Sequence, residues 1–199
     1  MKTLIIHPDD RTTDFLRNIY NNVEDKTIVT GGFSRNQLKD AIKHHDRILM
    51  LGHGCPAGLF RTSQAWGDGI SSLVIDEGMV EGLMDKDCIF IWCNADQFVH
   101  NNRLHGLCTG MFISEVDEAM LYNFPYSNEL KGLIHDSNYG FSNIVGSFAG
   151  EPLHALYKHL MKEYGQLAKV NPIAEFNFKR LYLITKQSTG LSNKIRNAS

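Results

Sequence analysis

Two residues of this 199-residue chain end apolar runs and carry side chains able to do covalent chemistry. His53 follows Arg47-Ile-Leu-Met-Leu-Gly52, and Cys93 closes Cys88-Ile-Phe-Ile-Trp-Cys93. A cysteine just before a helix start sees the positive end of that helix, which favours the thiolate. A histidine beside it can serve as base, or as the imidazolium that pairs with the thiolate. Gly54 lets its backbone N–H approach a carbonyl oxygen closely, and with the Cys93 N–H it makes a candidate oxyanion hole. The plainer reading has Cys93 filling the sheet and His53 serving a tight turn between two glycines. Cys88, inside its run, reads as core.

The two runs have the length of buried strands and lack the polar alternation of half-exposed ones, as in a parallel sheet covered on both faces. Lys2–Ile6 supplies a first strand, stopped by Pro8, and the β-branched Lys26–Thr30 a second. Arg47–Gly52 and Cys88–Cys93 are the third and fourth, and Gly110–Ile113 reads as the fifth. Helical spacings fall between them, through Phe15–Tyr20, Leu38–Ile42, Met79–Leu83, Ala95–Asn101 and Val116–Leu121. Gly54 to Gly69 reads as a Gly-rich loop holding Trp66, and Leu73–Ile75 as a short strand or hairpin arm. Beyond residue 125 the pattern is helical: Ser127 to Val145 with a break near Gly140, Glu151 to Met161, and Asn171-Pro172 towards Leu183. The alternation predicts an α/β fold with a doubly wound, mostly parallel sheet in strand order 2-1-3-4-5. One domain is expected over 1–199, with a sheet core at 1–125, a helical part at 126–185 and a tail at 186–199. In that order the carboxyl ends of strands one, three and four share an edge, where sheets of this class carry their sites.

A net charge of −2 gives no electrostatic case for nucleic acid or an anionic membrane. No apolar run reaches the roughly 20 residues of a membrane span. Met1–Ile6 is too short for a signal core, and the four cysteines show no C-x-x-C spacing, so the expectation is a cytoplasmic protein with reduced thiols. The glycine clusters Gly31-Gly32, Gly52–Gly58 and Gly67–Gly69 form neither a P-loop nor a dinucleotide fingerprint, and no cofactor is expected.

Leu51-Gly-His53-Gly54 and, forty positions later, Ile89-Phe-Ile-Trp-Cys93 resemble the motifs of the caspase–clostripain–gingipain group of cysteine peptidases and its CHAT-domain relatives. Gly110-Met-Phe-Ile-Ser-Glu-Val116 resembles the CHAT segment where a fifth strand enters a helix. The resemblance spans residues 1–125. It implies a His53–Cys93 dyad with Gly54 and Cys93 as oxyanion donors, acting on a peptide or protein substrate. Clostripain- and gingipain-type enzymes use an acidic pocket for basic residues. The carboxylates expected to supply one are Asp9 and Asp10 after the first strand and Glu115 and Asp117 after the fifth. The alternative within the same resemblance is a non-catalytic module that binds a partner through this edge.

His7-Pro-Asp-Asp10 is similar to the His-Pro-Asp-Asp motif of zinc-dependent N-acetylglucosaminyl deacetylases. Arg11 stands where those enzymes have glutamate, and no His-x-Asp-His follows. The preferred reading is that Pro8 stops the strand and Asp9 or Asp10 caps the helix. His53, Cys55 and Cys93, with His7 as a fourth, are soft ligands that suit zinc, but their spacing matches no closed structural pattern. His154 and His159, five apart, lie on different helix faces. No metal is expected.

Overall fold

Residues without polar alternation build the centre of the fold. In a computed structural model, which describes residues 1–61 and 73–186, they form a six-stranded, mostly parallel α/β sheet. Its strands are β1 (Thr3–Ile6), β2 (Lys26–Val29), β3 (Arg47–Leu51), β7 (Asp87–Ile91), β8 (Gly106–Thr109) and β9 (Leu181–Ile184), in the order β2-β1-β3-β7-β8-β9. The first five, β2 to β8, pair in parallel, so the expected order 2-1-3-4-5 is observed. Trp66, Gly67–Gly69 and the tail from 187 lie outside the described residues.

The described residues divide into two compact units, one of residues 1–10, 24–61, 73–110 and 182–186, the other of 11–23 and 111–181. In the first, even-numbered residues of the central strands (Ile48, Met50, Phe90) and Trp92 form one buried face with Leu38 and Phe98. That face receives α1 (Arg35–Lys43), α2 (Val80–Leu83) and α3 (Ala95–Asn101). Ser34 starts α1 with a capping box: its hydroxyl accepts from Gln37 N–H while the Gln37 side chain accepts from Ser34 N–H. Asp76 caps the 3-10 turn Glu77–Met79 through Gly78 N–H at 2.8 Å, and its carboxylate also pairs with Arg35 of α1.

Four expectations about elements need correction. The Gly-rich loop after His53 begins as a hairpin: β4 (Gly54–Cys55) and β5 (Gly58–Phe60) pair antiparallel, and β6 (Leu73–Ile75) adds to β5 to complete a small second sheet. The fifth parallel strand is Gly106–Thr109, not Gly110–Ile113. Gly106, at φ +146°, is the entry point, where a Cβ would stand 2.3 Å from the Cys88 carbonyl oxygen. Ile113 has no ladder to join, because the Asn177 side chain takes both of its backbone groups: N–H to Oδ1 at 2.7 Å, and Nδ2 to the carbonyl at 2.9 Å. The last helix stops at Phe178, and the segment expected to continue it becomes β9.

The second unit contains the 3-10 helix Arg11–Ile19, α4 (Val116–Leu121), α5 (Asn128–Ser147), α6 (Leu153–Ala168) and α7 (Pro172–Phe178). α5 runs unbroken past Gly140, and Gly146 lets it meet the 3-10 helix, since a Cβ there would stand 2.2 Å from the Asn18 carbonyl oxygen. Asn171 caps α7 by accepting from Ile173 and Ala174 N–H, with Pro172 at the first helical position, as its sequence predicts. Among the described residues, no helix is long and apolar enough to cross a membrane.

Candidate active site

β3 and β7 pair in register from Arg47↔Asp87 to Leu51↔Ile91, an offset of forty residues. Cys93 also follows His53 by forty residues, so the two residues come equally far after the last pair of the ladder. Adjacent strands run about 4.8 Å apart, so the carboxyl ends of β3 and β7 stand side by side, with His53 two residues beyond one and Cys93 two residues beyond the other. Gly52 N–H donates to the Ile91 carbonyl at 3.0 Å and closes the last pair of the ladder, Leu51↔Ile91. On the other side Thr109 closes β7, accepting from Trp92 N–H at 3.2 Å and donating to the Trp92 carbonyl at 2.8 Å.

The chain leaves the sheet at Gly52, whose φ of +142° favours glycine. His53 then begins the hairpin, and its carbonyl accepts from Phe60 N–H at 2.9 Å. Cys55 pairs with Gly58, so Gly54, opposite Leu59, occupies the intervening non-hydrogen-bonded position. At such a position the N–H is directed away from the partner strand. The lack of a side chain at Gly54 is structural as well: a Cβ would lie 2.3 Å from Trp92 Cδ1 and 2.6 Å from the Gly58 carbonyl oxygen. Trp92 itself is fixed by its indole N–H, which donates to the Cys55 carbonyl at 3.0 Å.

Cys93 sits between the end of β7 and α3, half-buried, followed by Asn94 in the left-handed conformation at φ 64°. Cys55 is half-buried too, whereas Cys88 and Cys108 are fully buried in the sheet. Burial pushes the Cys88 thiol well above its ordinary range, with the neighbouring Asp87 charge adding to the effect. None of the four cysteines is in a disulfide.

After β1 the backbone stays beside β2. His7 N–H donates to the Val29 carbonyl at 3.0 Å, and Asp9 N–H to the Thr30 carbonyl at 3.1 Å. His7 is buried and Asp9 is exposed. The Asp10 carboxylate turns inwards and comes within 3.9 Å of His53 Nε2. The strand order places Asp9 and Asp10 at this edge, but which of them turns towards His53 depends on the path of four residues after the strand.

Glu115 and Asp117 lie in the other unit, at the start of α4. Glu118 Oε2 accepts from the N–H of Ser114 and of Glu115 there and from the Ser114 hydroxyl. Glu115 and Asp117 line a surface pocket with Ser114, Val116, Lys131 and Ile134. The zinc-ligand sets considered from the sequence do not assemble. Neither His7, His53, Cys55 and Cys93 nor His7, Asp9 and Asp10 bring three ligand atoms within 4.8 Å of one another.

No protein-family model, no curated protein and no solved structure matches the chain.

Proposed function

We propose that the carboxyl edge of the sheet is a thiol peptidase site, in a doubly wound, caspase-like arrangement. Cys93 is the nucleophile, His53 the acid and base, and the N–H groups of Gly54 and Cys93 the oxyanion donors. The observation that carries this reading is the shared offset of forty residues between the β3/β7 register and the His53–Cys93 spacing. In the reaction His53 takes the Cys93 proton, and the thiolate attacks the scissile carbonyl. The negative charge that develops on the oxygen is met by the two N–H groups, each such donor being worth about 3 kcal/mol. His53 gives the proton to the leaving amine as the C–N bond breaks, leaving a thioester. Water, deprotonated by His53, then hydrolyses the thioester and restores the thiol.

The substrate is a peptide or protein, and the family resemblance adds a preference for Arg or Lys before the cleaved bond. Asp9 is the exposed carboxylate at this edge and fits such a cation. A positional peptide library incubated with the wild type, Cys93→Ala and His53→Ala tests both parts. The expected result is cleavage after basic residues by the wild type, with a loss of at least about a thousandfold in both variants. Cleavage retained in Cys93→Ala would refute the nucleophile, and equal turnover of all residues would remove only the basic preference.

A further inference from the structure

We infer that Asp10 is a positioning residue for His53, rather than part of a substrate pocket. The inference rests on the peptidase reading above and assigns it a third participant. The two side chains are 9% and 8% exposed, so each is enclosed where it meets the other. Asp10 is brought there by its backbone: the bonds of His7 and Asp9 to the end of β2 hold the turn, and Pro8 packs close to Gly52. Gly52 in turn sets the direction of His53. The carboxylate and the imidazole are thus delivered by neighbouring strands, β1 and β3.

A separation of 3.9 Å is an electrostatic contact, longer than a hydrogen bond. Its value lies in the charged form of the dyad. Moving a proton from Cys93 to His53 creates an imidazolium, and an enclosed carboxylate at this range stabilises it with little solvent screening. Asp9, one residue earlier and exposed, remains the carboxylate able to meet a substrate cation. Adjacent acids therefore divide between two tasks, one facing inwards and one outwards.

The test compares wild type, Asp10→Asn and Asp10→Glu by iodoacetamide labelling at pH 7, with Cys93 and Cys55 followed separately by mass spectrometry. Melting temperatures are measured in parallel. Asp10→Asn keeps the shape and removes the charge, so Cys93 labelling is expected to slow about tenfold. Asp10→Glu is expected to restore it, with Cys55 labelling unchanged in both variants. Wild-type labelling of Cys93 in Asp10→Asn would overturn the inference while leaving the nucleophile standing. A parallel change at Cys55, or failure of Asp10→Glu to restore Cys93 while melting as the wild type does, would also overturn it. If the wild-type Cys93 reacts no faster than Cys55, the peptidase reading itself falls.

Discussion

Gly54 is required twice, once for its N–H and once for its missing side chain. The second requirement can be tested without a substrate. In Gly54→Ala the new methyl would overlap both the Trp92 indole and the Gly58 backbone, and the latter has little freedom to move. The expected cost is about 1–3 kcal/mol, read as a lower urea midpoint with an unchanged slope. An unchanged midpoint would show that the hairpin opens freely there. At this scale the sequence was informative where chemistry follows a strand end. His53 and Cys93 could be assigned to one edge because each follows a parallel strand, and β3 and β7 are neighbours as the expected order has them. That Asp9 and Asp10 stand near His53 followed from the strand order, but which of them turns inwards could not be read, since both serve equally well as helix caps, pocket carboxylates or metal ligands.

Among elements, the corrections share a cause. Short apolar segments do not declare which backbone partner they will find. Gly110-Met-Phe-Ile113 has strand composition, but the ladder place beside β7 goes to Gly106–Thr109. Asn177 then satisfies Ile113 from a helix, and its Nδ2 also donates to Ser137 Oγ at 3.1 Å, which lies 2.7 Å from the Tyr164 hydroxyl. Asn177→Leu preserves volume and strips these buried groups of their partners. It is expected to destabilise the protein by about 2–4 kcal/mol in chemical denaturation. A loss below about 0.5 kcal/mol would mean that this network is not what holds the segment after β8. Capping signals were the most readable feature of the helices, because Ser34, Ser127 and Asn171 each act on N–H groups within three residues. The strand β9 was unreadable because its partner β8 lies more than seventy residues away.

For the molecule as a whole, burial of ionisable groups sets the alkaline limit of stability. The Cys88 thiol is pushed up by burial in the sheet, whereas an unfolded cysteine titrates near 8.5. Below about pH 8.5 both states keep the proton and Cys88 has no effect. Above it the unfolded chain releases the proton and the folded one does not, so stability falls by up to about 1.4 kcal/mol per pH unit. Tyr164, raised by the same cause, adds to the slope only above about pH 10. Between those limits Cys88→Ala is expected to flatten the decline, as read by unfolding midpoints from pH 8 to 10. An unchanged slope would assign the alkaline limb to other groups. The α/β class and the strand order were legible over this scale, because long runs of apolar residues separated by helical spacings leave few ways to pair.

The nucleophile is tested most directly by comparing thiols of similar exposure. Cys88 is buried and would label slowly whatever Cys93 does, so the half-buried Cys55 is the fairer reference. In a short iodoacetamide time course near neutral pH, resolved by site, Cys93 should label faster than both. In His53→Ala the Cys93 rate should fall to that of Cys55 while Cys55 itself is unchanged. Labelling of Cys93 no faster than Cys55, or a Cys93 rate that ignores the loss of His53, would contradict the dyad.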